Sequence, residues 1–249
     1  MSKKKILLIF SSVLAFVLIV CIVLAALLYN GIILLNNPSL EEFPVRGVDV
    51  SSYQGEIDWN VLSKENVSFA FIKSTEGSTH VDRYFEKNLN NALKTNLKVG
   101  AYHFFSFDSS GETQAENFIV NVPKIEGMLP PVVDVEFYGD KENNPPSKEY
   151  VKKELTEILK LLENHYGVKP IIYTTEKVND LYIKNNFNDY DLWIRNVICK
   201  PQINTEWKFW QYTNRETFEG YKGDEKYIDV NVFNGSVRDF LNYQTVGDK

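Results

Sequence analysis

The chain has 249 residues, 44% hydrophobic and 24% charged, so most of it is expected to fold as ordinary globular protein, in one large domain or two small ones. Its 27 basic residues against 33 acidic ones give a net charge of −6, which argues against nucleic acid or anionic lipid as the main partner. Three histidines and two cysteines leave little for a zinc or iron site, and neither a metal nor an organic cofactor is expected.

Lys3, Lys4 and Lys5 precede Ile6 to Leu28, 23 residues without a charge. As a helix this run is about 34 Å long, at ~1.5 Å per residue, and can span a bilayer. A cleaved signal peptide has a shorter apolar core and ends at a small-x-small site. Tyr29 to Asn37 offers no such site, and Val20 stands before Cys21 where a lipoprotein signal would have a small residue. The expectation is an uncleaved anchor over residues 6–28. The lysines hold residues 1–5 in the cytoplasm and leave the rest outside. Beyond the anchor, 24 basic residues face 33 acidic ones, a net charge near −9. Cys21 lies in the membrane and Cys199 outside it, so the outer part folds without an internal disulfide.

Residues 29–45 read as a linker, with "NNPSLEEFP" (36–44) polar and proline-bounded. Beyond it, 46–249 alternates strand-like and helix-like runs. Strands are predicted near 46–52, 67–75, 98–107, 130–137, 169–175, 191–197, 207–213 and 226–233, from their Val, Ile, Phe and Tyr content. Helices are predicted over Asp58–Glu65, over Tyr84–Thr95, after a capping box of Ser109 and Glu112, and over Val151–Tyr166. Ser147 caps the last of these and Gly167 closes it. Helices grow scarce after the fifth strand, which suggests a single α/β barrel with an irregular second half.

In such a barrel, functional groups gather at the C-terminal ends of strands. Asp49 in "GVDVSS", Asp134 and Glu136 in "VVDVEF", Asp229 in "YIDVNV" and Glu76 after "FIKST" each lie near a predicted strand end. Asp134 and Glu136 alternate onto one face, with Cα atoms about 6.6 Å apart. Two carboxylates that close repel, and one pKa should rise, as a general acid requires near neutral pH. A lone strand aspartate is often structural; several converging on one mouth point to chemistry. Tyr102, Tyr173, Trp193, Trp210 and Tyr212 add aromatic faces that can stack on sugars, though each by itself also fits a core. Trp207 and Trp210, three apart, should face opposite ways on a regular strand. His103 reads as a hydrogen-bonded structural residue.

"GVDVSSYQGEIDW" (47–59), "FIKSTEG" (71–77), "GAYHFF" (100–105), "VVDVE" (132–136), "WQY" (210–212) and "DVN" (229–231) occur in that order. Together, over about residues 46–240, they resemble the glycoside hydrolase family 25 lysozymes, the Chalaropsis-type muramidases. The resemblance implies a TIM-like (β/α)₅(β)₃ barrel that cleaves the β-1,4 bond between N-acetylmuramic acid and N-acetylglucosamine in peptidoglycan glycan strands; with the apolar run of residues 6–28, the expectation is a membrane-anchored bacterial form facing the cell wall. The family's active-site acids match Asp49, Asp134, Glu136 and Asp229. Glu136 matches the proton donor, and Asp134 the acid thought to orient the substrate's 2-acetamido group. The expected sugar contacts are Tyr102, Tyr173, Trp193, Trp210 and Glu76.

One departure stands out: the family often has alanine two residues after the tryptophan of the sixth barrel strand, and "LWIRN" places Arg195 there. Pointing inward it changes a sugar or peptide subsite; pointing outward it is a solvated charge. Spacing leaves open whether hydrolysis is substrate-assisted or inverting. Two other classes remain, a chitinase-like barrel glycosidase and a non-catalytic wall-binding domain. The anchor suits local opening of the wall for growth, division or passage of a secretion or conjugation apparatus, and association with such an apparatus is an expectation that no residue specifies.

Overall fold

The computed structural model describes residues 2–247. It divides into two compact units, the first ending at Leu35 and the second beginning at Asn36. The first unit is built on α1 (Lys3–Tyr29), 27 residues whose most apolar 18-residue window has a mean hydropathy of 3.2. Ser2 caps it, its side chain accepting from the Lys5 amide. The helix is long and apolar enough to cross a membrane.

The second unit is a mixed α/β fold around a closed barrel of eight strands. They are β1 (Arg46–Val50), β2 (Phe69–Glu76), β4 (Lys98–Phe104), β5 (Val132–Val135), β6 (Ile171–Thr175), β7 (Leu192–Arg195), β8 (Phe209–Glu216) and β9 (Ile228–Phe233). The ring closes through β1–β2 pairing, and the short β3 (His80–Val81) hairpins onto the end of β2. Strands β1 to β8 of the ring pair in parallel, whereas β9 runs antiparallel to both its neighbours. Helices follow the first five ring strands: α2 (Trp59–Leu62), α3 (Phe85–Ala92), α4 (Gly111–Asn121), α5 (Lys148–Tyr166), and α6 (Glu176–Val178) running into a π-turn at Asn179–Ile183. A short α7 (Val237–Leu241) comes after β9.

The longest helix of this unit forms for reasons visible in its sequence. Ser147 accepts from the Tyr150 amide, Val151, Leu155, Ile158, Leu159 and Leu162 bury one stripe, and Gly167 ends it at φ 76°. The start of α4 differs from the expected capping box. Ser110, not Ser109, is the cap, with its Oγ 3.2 Å from the Thr113 amide. Gly111 fixes that start: its amide donates to the buried Glu154 at 2.7 Å, and a Cβ there would run into the backbone of α5.

Alternation sorts the strands into two cores. Outward residues such as Val48, Ile72, Val133, Ile172 and Ile194 meet the helices. Inward faces run Phe69–Phe71–Lys73 on β2, Val132–Asp134 on β5, Ile171–Tyr173 on β6, Trp193–Arg195 on β7 and Phe209–Gln211 on β8: apolar below, polar above. Phe71 stacks on Trp193 with ring centroids 4.8 Å apart, and α7 covers the lower end, Phe240 against Phe69 and Phe233. Gly47 and Gly100 make room for this filling, since a Cβ at either would overlap the rings of Phe69 and Phe71. Each such ring contributes roughly 1.5–3 kcal/mol by burial. The apolar floor therefore holds the polar mouth.

Residues 36–45, expected as linker, pack into this unit. Phe43 is buried against Trp207 and Trp210, and the Arg46 guanidinium donates to the Pro38 carbonyl at 2.6 Å.

Candidate active site

The upper mouth of the barrel holds a cleft of about 650 Å³. Asp49, Asp134, Glu136 and Asp229 all line it, with Tyr102, Tyr173, Trp193 and Arg195. Asp229 arrives there by an unexpected route. It lies at the start of β9, not near its end, and reaches the mouth because β9 runs opposite to the other strands, in register with Asp49.

Gln211 organises one side of the cleft. Tyr173 donates its hydroxyl to Gln211 Oε1 at 3.0 Å, so the amide nitrogen faces the acids. That nitrogen donates to Asp49 Oδ2 at 3.0 Å and to Asp229 Oδ2 at 3.2 Å. The indole N–H of Trp193 donates to Asn231 Oδ1 at 2.8 Å, and Asn231 Nδ2 then donates to Asp49 Oδ2, also at 2.8 Å. Because an indole can only donate, the orientation of the Asn231 amide is fixed, and the Tyr173 hydroxyl serves as the donor to Gln211. Burial pushes Asp49 above the usual carboxylate range while Asn231 and Gln211 pull it back. Burial and the charge of Asp49 hold Asp229 well above that range.

The β5 pair is built differently. Asp134 is 7% exposed, and its Oδ1 has no hydrogen-bond partner among the described residues. Burial, then the charge of Glu136, pushes its carboxyl well up. Glu136, just past the end of β5, is half-buried; burial raises it, and the charges of Arg195 and Lys73 moderate the rise. The charge of Glu136 is one cause of the rise at Asp134, so the two neighbouring acids favour keeping one proton between them. A carboxyl pair that keeps one proton, at the wall of this cleft, can deliver that proton to an oxygen atom.

The sequence profile of glycosyl hydrolases family 25 matches residues 48–221, which includes three of the four acids. The chain belongs to this family. A family 25 glycosyl hydrolase from Bacillus anthracis is similar in structure, with a TM-score of 0.79 and 56% identity, covering 84% of this chain and 97% of that one. Lysozyme M1 of Streptomyces globisporus is 31% identical over 220 residues, 79% of this chain and 70% of that protein. The uncharacterized protein YegX of Escherichia coli K12 is 35% identical over 204 residues, 79% of this chain and 72% of its own length. The protein is thus a glycoside hydrolase of the lysozyme family.

Two expected contact residues of this family 25 protein lie elsewhere. Trp210 is on the outer face of β8, its indole N–H donating to the Asn196 carbonyl at 2.8 Å and its ring packed on Phe43, Trp207 and Tyr212. Trp207 and Trp210 share that side because Trp207 precedes β8, where strand alternation does not yet apply. Glu76 is not among the lining residues and instead pairs with Lys73, 2.7 Å away, which does line the cleft. Trp193, 2% exposed, is floor more than open platform. His103 is structural: Thr75 and Gln114 hold its two ring nitrogens at 2.7 and 3.1 Å, and burial pushes its pKa down to about 4.

Gln211 and Asn231 stand inside the WQY and DVN motifs, beside residues of stronger chemical character. The signal was alternation. In "WQY", Trp210 and Tyr212 share one face and Gln211 takes the other, and it is the glutamine face that meets the cleft. Tyr53, 66% exposed, and Tyr227 also line the cleft and carry no local mark of it. Among the described residues, no group of three or more His, Cys, Asp or Glu side chains is arranged to hold a metal ion.

Proposed function

We propose that this protein hydrolyses the β-1,4 bond between N-acetylmuramic acid and N-acetylglucosamine in peptidoglycan by substrate assistance. The single observation that carries the reading is Asp134: a buried carboxyl whose Oδ1 has no partner, two residues from a half-buried glutamate. An unpaired buried acceptor is costly, and an N–H donor brought by the substrate relieves that cost. The 2-acetamido group of the sugar supplies one.

Glu136 then gives its proton to the glycosidic oxygen as the bond breaks. The acetamido carbonyl attacks the anomeric carbon, and Asp134, ionised because the pair's one proton sits on Glu136 when the N–H donates to Asp134, stabilises the positive charge that develops. Glu136, now a carboxylate, takes a proton from the water that opens the cyclic intermediate. Asp49 and Asp229 share the Gln211 amide and sit across the ring from β5, where they hold the sugar. Tyr102, Tyr173 and Trp193 shape the sugar site. The barrel is of the (β/α)₅(β)₃ type. Residues 6–28 anchor it in the cell membrane with the N-terminus in the cytoplasm, the barrel faces the wall, and the role is local wall opening.

Mass spectrometry of products from purified peptidoglycan tests the reaction. Reducing ends on N-acetylmuramic acid are expected. New N-acetylglucosamine reducing ends would mean a glucosaminidase, anhydro-muramic products a lytic transglycosylase, and no products a wall-binding domain.

A further inference from the structure

Around the ring, β9 lies four strands from β5 and β7 four strands from β2. The two acid groups therefore oppose one another, and so do two of the three cations that line the cleft among the described residues, Lys73 on β2 and Arg195 on β7; the third, Arg215 on β8, lies over the Tyr227 ring at 5.1 Å. Lys73 and Arg195 each stand two strands from β5. They are not equivalent. Lys73 is committed: its Nζ is 2.7 Å from Glu76 Oε2 and 4.9 Å above the Phe104 ring. Arg195 also lines the cleft, yet its guanidinium makes no hydrogen bond or ion pair among the described residues. Asp49, Glu136 and Asp229 face it, but burial holds all three toward their neutral forms. Its neighbours across the strands are Thr175 and Gln211, and neither carries a charge.

A guanidinium with open donors at the wall of a glycan cleft is a carboxylate receptor in want of a carboxylate, because its planar fork matches two oxygens at once. The muramyl ring carries its acetamido group on C2 and an ether-linked lactyl group on the adjacent C3. If the C2 group reaches β5, the C3 group projects toward a strand beside it, on the β2 side or the β7 side. The β2 cation is occupied. We propose that Arg195 binds a carboxylate carried on the C3 substituent of the muramyl residue, and so sets both the direction of the glycan in the cleft and a preference for acidic glycan. The proposal rests on the muramidase reading above. The carboxylate has two sources, the lactyl group itself in glycan stripped of peptide, or an acidic residue of the attached peptide.

The experiment uses the full chain in detergent and four substrates: peptide-free glycan strands and peptide-bearing strands, each with carboxylates free or masked as methylamides. For the wild type, masking should lower kcat/KM by about 10- to 100-fold, the scale of one charge-assisted hydrogen bond. The fall appears in the peptide-free pair if the lactyl group is the source and only in the peptide-bearing pair if the peptide is. Arg195→Gln should lose a similar factor on the free substrate, mainly in KM, and no longer distinguish free from masked. Arg195→Lys should keep part of the distinction, since it keeps the charge without the fork. Unchanged melting temperatures confirm intact folds. Wild type that hydrolyses all four substrates equally overturns the carboxylate site and leaves the muramidase reading standing. Wild type that hydrolyses none overturns the muramidase reading itself. Equal losses in Arg195→Gln on free and masked substrates, with the basic limb of the pH profile moved up, would make Arg195 a positioning residue for Glu136 and overturn the proposal.

Discussion

Asp134 and Glu136 face Asp49 and Asp229 across one cleft, but the first pair comes from a single strand and the second from two antiparallel neighbours. The second pair is wired. Gln211 and Asn231 donate to it, and Tyr173 and Trp193 hold those amides in place. The first is left open, with an acceptor unsatisfied at Asp134. A hydrogen bond already made inside the protein cannot be strengthened by substrate, whereas an unmade one can. On the proposed mechanism the open pair acts on the substrate and the wired pair holds it, a division of labour made by the amides of Gln211 and Asn231 and not by the acids themselves.

Glu136→Gln should separate the two pairs most sharply. It keeps shape and loses the proton, so turnover should fall by ~10²–10⁴-fold with binding of a wall fragment little changed. Activity within threefold of wild type would move the acid to the other pair.

Asp134→Asn should cost turnover on the order of 10²–10³-fold by weakening stabilisation of the charged intermediate. It should also move the basic limb of the rate profile to lower pH. In the wild type that limb is loss of the last proton from two acids raised by burial and, at Asp134, by the charge of Glu136; in the variant Glu136 holds its proton without an ionisable Asp134 beside it. A limb that stays put would mean that the β5 acids are uncoupled and the contrast with the wired pair is lost.

Gln211→Leu cuts the wiring. Asp49 and Asp229 lose a donor and the Tyr173 hydroxyl its acceptor, which should destabilise the fold by roughly 1–3 kcal/mol in urea titration. Activity should drop by about tenfold, less than for either β5 substitution. No change in stability would mean that the amide bridge does not hold the acids.

Asp229→Asn should produce the smallest effect, of opposite sign. Burial raises this carboxyl in the folded state, so its contribution to stability is present below the unfolded pKa of about 3.9 and lost as pH rises through the folded value. Near pH 7 the variant should be more stable by ~1 kcal/mol, a rise of about 2–4 °C in melting temperature, and the gain should vanish near pH 3. A destabilised variant at pH 7 would mean that Asp229 is ionised and paired, not strained.

The sequence by itself determined the apolar N-terminal helix, the eight ring strands, the Ser147-capped helix and the four acids. These follow from local pattern: an uninterrupted uncharged run, period-two apolar strands, a cap with a periodic stripe, and carboxyls set where apolar residues were due. Tertiary structure decided the rest. Alternation says that Trp210 and Gln211 face opposite ways, but only ring closure says which of them sees the axis. An acid in "YIDVNV" looks the same in either strand direction, and only β9 reversing between β8 and β1 brings Asp229 to the mouth. Arg195 became a cleft residue because β7 is held in register with β6 and β8. Which residues share a face is a property of the neighbouring peptide units; which face meets the substrate depends on strands more than a hundred residues away.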